Sequence, residues 1–149
     1  MDPVSELLSQ PAIRAWALAS VVVALKTLGS GLYTSLIRMR KDVYASPEDY
    51  VFQGKQPAAT RDEEVERARR MHRNDLEAGL PFALVGLVYA LTGPTAAGLW
   101  ICFAGFPVAR VLHGVFYARQ LMPHRTITYG VGLLVTVWMA LASIVALIR

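Results

Sequence analysis

The chain has 149 residues, of which 54% are hydrophobic and 17% charged, with a formal charge of +4 and one cysteine. That is one domain's worth of sequence, and its charge is gathered between Arg38 and Asn74 instead of being spread over every helix face, which excludes an ordinary soluble helical domain and describes a membrane protein. Cys102 alone permits no internal disulfide and no CxxC chemistry, and basic residues that alternate with acids, without interleaved aromatics, do not describe a nucleic-acid surface.

The amino-terminal residues are acidic, with Asp2 and Glu6 and no basic n-region, so the first apolar segment, Ala12–Ile37, reads as a retained helix and not a signal peptide. Arg14 reads as an interfacial anchor. Lys26 lies deep in that span and is expected to pair with a carbonyl or an acid inside the bundle. Gly29, Ser30, Gly31, Thr34 and Ser35 allow close helix approach. A basic loop follows, carrying Arg38, Arg40, Lys41, Lys55, Arg61, Arg67, Arg69 and Arg70.

The second apolar run, Leu76–Leu91, is short for the ~20 residues that cross ~30 Å of hydrocarbon. The helix is expected to run back through Arg70–Asp75, which the absence of Pro and Gly from Glu63–Glu77 fits. Thr92-Gly93-Pro94-Thr95 makes a tight uncharged turn into the third span, Ala96–Ala118, which Pro107 is expected to kink. Cys102 there reads as a small hydrophobe. After a short loop with Arg119 and Arg125 comes the fourth span, Ile127–Ile148. With the flanking polar turns included, the reading is a single all-α membrane domain, 1–149, with spans 12–37, 70–91, 96–118 and 126–148 and a loop over 38–69. The bias of Lys and Arg puts both basic loops in the cytoplasm and both termini outside.

Three of these helices carry a polar stripe at the same end. Arg70, Arg73, Asn74 and Glu77 follow i, i+3, i+4, i+7 spacing; so do Arg110, His113, Gly114 and Tyr117; Arg125 and Tyr129 are four apart. Each set therefore shares a helix face. Charges at a helix centre in hydrocarbon cost roughly 2.5–3.5 kcal/mol each on insertion scales, and less near the interface. Three such faces on one side of the membrane argue for a shared, water-accessible pocket, and its excess of Arg argues for an anionic ligand. Blander roles stand beside this one. Arg73 and Glu77 can form an i, i+4 ion pair, His113 can be a satisfied buried histidine, Tyr117 and Tyr129 can be belt aromatics, and Arg125 can be a membrane anchor. Arg61–Arg70 reads mainly as a solvated helix face. A metal site from His72, His113 and Asp49 and a Ser-His-Asp hydrolase are not favoured.

The run Arg70-Arg-Met-His-Arg-Asn-Asp-Leu-Glu77 followed by Pro81-Phe82, together with Pro47-Glu-Asp49, Arg110-x-x-His113-x-x-x-Tyr117 and Arg125-Thr-Ile-Thr-Tyr129, resembles the membrane-associated proteins in eicosanoid and glutathione metabolism. Lys26 and Arg38 also sit where that family carries basic residues. The resemblance covers essentially the whole chain and is closest to the branch of the microsomal prostaglandin E synthases and glutathione transferases. It implies a four-helix transmembrane bundle that assembles as a homotrimer, in the endoplasmic reticulum or a bacterial inner membrane. It also implies glutathione bound between neighbouring subunits near the cytoplasmic side.

Carried over by residue, the resemblance gives the tripeptide's carboxylates to Arg38 and Arg73, and places Arg70, Asn74 and Glu77 around its polar groups, with Glu77 facing the ammonium. His113, Tyr117 and Tyr129 would line the site. Arg125 would face the sulfur, Thr126 would offer a hydroxyl to the thiolate, and Asp49 would reach the chemistry from the first loop. Two departures stand out: Thr126 replaces the synthase's serine, and the loop before Arg125 is one residue shorter. Both bear on the lipid substrate more than on glutathione. The expected activity is a glutathione transferase or peroxidase acting on hydrophobic electrophiles or lipid hydroperoxides from the bilayer. The alternatives are a glutathione-dependent endoperoxide isomerase of the prostaglandin E synthase type and a non-catalytic lipid-presenting protein.

Overall fold

The computed structural model describes residues 2–57 and 61–149, and among these the chain forms helices and connecting turns only. The elements are α1 (Pro3–Ser9), α2 (Pro11–Arg40), α3 (Pro47–Phe52), α4 (Glu63–Leu91), α5 (Ala96–Phe103), α6 (Gly105–Ala118) and α7 (His124–Leu147). Three rods are long and apolar enough to cross a membrane: α2, α5 with α6, and α7. The fourth, α4, has 29 residues, about 43 Å at 1.5 Å each, and its amino-terminal half is charged.

Local sequence explains the boundaries. Asp62 caps α4, its Oδ1 accepting from the Glu64 and Val65 amides at 2.9 and 3.1 Å, and Glu63, Glu64 and Glu66 in the first turn complement the helix dipole. The helix ends at Thr92, and the turn passes through Gly93, whose φ of +68° suits glycine. Thr95 caps α5 through the Gly98 amide. The third rod breaks at Ala104, three residues before Pro107, which removes a backbone donor and crowds the preceding turn. Proline alone does not break a helix, however: Pro81 lies inside an unbroken α4, where it cannot donate to the Glu77 carbonyl.

One sequence expectation needs correcting, and two short helices were not foreseen. The first loop is not 38–69, because α2 runs on to Arg40 and α4 begins at Glu63. Between them lies α3, closed by a capping box of Ser46 and Asp49. A further short helix, α1, precedes the first rod and buries none of its residues.

α2 packs mainly on α4, and α7 on both α6 and α4. The core where they meet is aromatic: Phe82 of α4 stacks on Phe106 of α6, ring centroids 3.9 Å apart, with Phe103, Ile13, Cys102 and Met139 buried around them. Glycine and small residues bring α2 against α4. A Cβ on Gly31 would lie 3.1 Å from the His72 ring, whose Nδ1 is 3.1 Å from the buried Ser30 hydroxyl, whereas Gly29 faces open space. Trp16 donates to the Ala83 carbonyl at 2.9 Å, fixing the same pair of helices further along. At the charged end Lys41 bridges Asp62 and Glu64, at 3.2 and 2.9 Å, and so ties the end of α2 to the start of α4.

Candidate functional site

The buried face of α4 carries Met71, Asp75 and Phe82, and that of α2 carries Val23, Ser30, Thr34 and Ile37. Asp75 and Lys26 both interrupt these stripes, and they pair with each other. Asp75 also accepts from Arg110 of α6, Nη2 to Oδ1, at 3.0 Å. Desolvating such charges is expensive unless each is paired, and here one carboxylate serves two cations. The stem of Lys26 runs against Gly114, where a Cβ would lie 3.0 Å from its Cε.

Arg110 carries this cluster outward to the polar stripe. The same Nη2 donates to Asn74 Oδ1 at 2.6 Å and to the Asn74 carbonyl at 3.1 Å. Arg110 and Asn74 share the wall of a 120 Å³ cavity with Glu77, Pro81, Phe106 and Tyr129. Arg73 and Glu77, four residues apart on the exposed side of α4, make no ion pair with each other or with any other described residue. The capping-pair explanation of these two therefore fails, and both charges face outward.

A second group forms between α6 and α7. The His113 ring lies 5.6 Å from that of Tyr117 and 6.0 Å from that of Tyr129, and the Arg125 guanidinium sits over Tyr117 at 4.8 Å. His113 Nδ1 is 2.9 Å from the Arg125 carbonyl, so Nδ1 carries the hydrogen and Nε2, buried without a partner among the described residues, carries the lone pair. Tyr129 belongs to both groups. Arg70 reaches toward Tyr117 and Glu63 from α4, in a long 3.5 Å contact with the latter. Thr126 is exposed, its hydroxyl donating only to the neutral Met122 sulfur at 3.5 Å, a weak acceptor that an anion can replace.

Two candidates stand apart. Arg38 Nε donates to the Val43 carbonyl at 3.2 Å, and Asp49 accepts from the Ala45 and Ser46 amides, both at 3.2 Å. Neither bonds to another candidate residue within the chain. The connection holding α3 and Asp49 is further fixed by Tyr50, whose hydroxyl accepts from the Tyr44 amide, and by the Asp42–Lys55 ion pair.

The profile of the MAPEG family matches residues 16–145. The chain belongs to the MAPEG family. It is 38% identical to human prostaglandin E synthase over 138 residues, 92% of this chain and 91% of that protein. It is 34% identical to human microsomal glutathione S-transferase 1 over 145 residues, 94% of each. Both relatives are enzymes by name.

Within this MAPEG chain the sequence reading singled out Asn74, Glu77, His113, Tyr117, Arg125 and Tyr129, and the fold gathers them on adjoining helices. It gave no part to Asp75 and left Arg110 as a member of a stripe. Both were accessible by periodicity. Asp75 falls four residues after the buried Met71, and Lys26 falls between the buried Val23 and Ser30, so the two interrupted stripes face each other.

Proposed function

We propose that the protein is a membrane glutathione transferase with peroxidase capacity, which presents glutathione as a thiolate to hydrophobic electrophiles and lipid hydroperoxides. The observation that carries this is the outward pair Arg73 and Glu77 beside the Asn74 amide. Glutathione has carboxylates and an ammonium on one small molecule, and these three side chains offer a cation, an anion and a neutral amide on one helix face. The proline at 81 adds an acceptor, since the Glu77 carbonyl lacks its usual helical donor. The relative named a glutathione transferase supports the same ligand.

The size of the cavity supports a shared site. Pockets that bury a small ligand run to roughly 300–1,000 Å³, and this one holds 120 Å³. A tripeptide needs more wall than this cavity offers. Leu76, Leu80, Leu84 and Val88 line up at four-residue steps next to the site and are 51%, 64%, 62% and 40% exposed. A neighbouring subunit packed on that stripe would close the cavity and bring Arg38 and Asp49 of a second copy toward it, which fits a four-span chain in a homotrimer. The charged half of α4 and the bias of Lys and Arg support a site on the cytoplasmic side of the membrane.

The thiol of glutathione, pKa near 8.5 when free, is mostly protonated at pH 7. An Arg beside a thiol favours its charged form, and a partly buried one can lower the pKa by roughly one to three units. Arg125 is half-buried and braced on Tyr117, so its guanidinium is held in place and not free to drift into solvent. Thr126 supplies a hydroxyl to the same anion. The thiolate then adds to the electrophile, or attacks a peroxide oxygen and displaces the alkoxide. No protein cysteine takes part, Cys102 being fully buried in the aromatic core.

An endoperoxide isomerase is the second reading, favoured by the 38% identity to a prostaglandin E synthase. A parallel panel with glutathione decides between them: an aryl halide, a lipid hydroperoxide and a prostaglandin endoperoxide, each given to the purified protein. Conjugation and peroxide reduction without endoperoxide turnover support the transferase; turnover of the endoperoxide alone supports the isomerase. Native mass spectrometry in detergent tests the assembly, and a stable monomer that binds glutathione would overturn the shared site.

A further inference from the structure

We propose that Arg110 is a positioning residue of the site, acting by fixing which end of the Asn74 amide faces the ligand. The inference rests on the glutathione reading of the cavity and goes further by assigning the orientation of one of its groups.

An asparagine amide has an oxygen that only accepts and a nitrogen that only donates, in a nearly symmetric shape. On an exposed helix face, rotation about the last bond lets either end point outward. Here it cannot. A guanidinium has donors and no acceptor, and Arg110 places Nη2 2.6 Å from Asn74 Oδ1. Turning the amide over would set two donors against each other and forfeit a short charge-assisted bond. The oxygen is thus committed inward. The amide nitrogen donates to nothing within the described residues, and Asn74 lines the cavity. It is left to offer its hydrogens to an acceptor such as a carboxylate oxygen.

Arg110 is itself held on every side. It is 2% exposed. Its Nη2 is shared with Asp75 at 3.0 Å and with the Asn74 carbonyl at 3.1 Å, and Asp75 is neutralised in turn by Lys26. Its stem passes over Gly132, where a Cβ would stand 3.4 Å from Arg110 Cδ and 3.6 Å from the Phe106 ring. The buried cluster therefore has a directed output: three charges, from α2, α4 and α6, set the rotamer of one neutral amide on the cavity wall.

The test is a double-mutant cycle on the full-length protein in detergent, measuring glutathione affinity by calorimetry together with KM for glutathione and kcat. N74A and R110M are each expected to weaken glutathione binding by about tenfold, the worth of one hydrogen bond to a charged group. The R110M/N74A double variant is expected to bind no more weakly than N74A, and the loss in R110M to fall more on KM for glutathione than on kcat. R110K, which keeps a donor for Oδ1, is expected to recover part of the affinity, and to have no effect once Asn74 is alanine. A double variant about tenfold weaker than N74A would overturn the proposal, since Arg110 would then touch the ligand itself or act elsewhere. Unchanged affinity in folded R110M would overturn it too. Should R110M fail to fold, R110K and R110K/N74A carry the same comparison. Failure of the parent to bind glutathione would sink the reading of the cavity; parental binding with an additive cycle sinks only the positioning role.

Discussion

Lys26 of α2 and Asp75 of α4 form an ion pair between two helix stripes that are otherwise uncharged, the Asp75 side chain being 1% exposed. Such a pair is weak evidence of stability compared with a hydrophobic pair of the same size, but breaking it is costly, because it strands a charge. Asp75→Asn strands two, Lys26 and Arg110. The expected loss is about 3–5 kcal/mol, read as a large drop in the thermal midpoint in detergent. Lys26→Met combined with Asp75→Asn is expected to cost clearly less than the two single losses added together. Additive losses would mean that the two residues do not interact in the folded protein.

Acid is expected to loosen the end of the bundle nearest the basic loop. The Val65 amide, followed by Lys41, holds the Asp62 carboxyl below the ordinary aspartate range, while Glu64 and Asp62 push the Lys41 ammonium up. For a depressed carboxylate the stabilisation is present above its unfolded pKa, about 3.9, and is lost as pH falls through the lower folded value. For the raised lysine it is present below about 10.4 and lost as pH rises through the higher folded value. The clamp between α2 and α4 is therefore complete at neutral pH. Both groups are exposed, so its effect is small and screened by salt. Asp62→Asn keeps a capping oxygen but loses the charge, and is expected to flatten the acid limb of thermal stability relative to the parent. Identical acid limbs in the two proteins would remove Asp62 from that role.

Most of the helical layout was legible in the sequence because hydrocarbon imposes long apolar runs on it, and the turn Thr92–Thr95 carries its own punctuation. The loop bounds were set too wide because spans were counted from apolar residues, although Arg61–Arg70 read as a helix face. Asp62, with three acids in the next turn, is a helix start, and Ser46-Pro47-Glu48-Asp49 is a capping box. The site was legible as stripes but not as partnerships. Spacing along one helix tells which residues share a face; it does not tell that Arg110 turns inward to Asn74 and Asp75 while Arg73 turns outward. That division depends on how α4, α6 and α7 pack, and the Phe82–Phe106 stack holds the first two of these together. Arg38 and Asp49 show the same limit from the other direction. Their chemistry suits the site, yet within one chain each is occupied with its own backbone.

Glutathione affinity should depend on the two outward charges of α4. Arg73→Ala and Glu77→Ala each remove a charge-assisted contact worth roughly 1.5–3 kcal/mol, on the order of ten- to a hundredfold in affinity. Because neither residue has an ion-pair partner among the described residues, neither substitution strands a charge there, and stability should stay near the parent's. Calorimetry and thermal unfolding on the same samples separate the two effects. A loss of stability without a loss of affinity would return both residues to a structural role.

Arg125 is expected to carry the chemistry. It lies in the first turn of α7, where the helix dipole favours negative charge, though the amides of Arg125 and Thr126 are already bonded to the Leu121 and Pro123 carbonyls. The guanidinium is thus the main cation available to sulfur, supported by the Thr126 hydroxyl, whose bond to the Met122 sulfur costs little to exchange. Both groups stabilise thiolate and neither stabilises thiol. Arg125→Ala should raise the pKa of bound glutathione and lower turnover, while Arg73, Asn74 and Glu77 still hold the tripeptide. Arg125→Lys should recover part of the loss, since it restores charge without the planar fork or its fit over Tyr117. His113 gives a control: it grips the Arg125 backbone carbonyl and not the guanidinium, so His113→Gln, which can still donate there, should leave the thiol pKa nearer the parent's than Arg125→Ala does. Thiolate absorbance in the near ultraviolet, followed against pH, reports all three variants. An alanine variant that formed bound thiolate at the parent's pH and turned over as fast would make Arg125 a membrane anchor braced on an interfacial tyrosine.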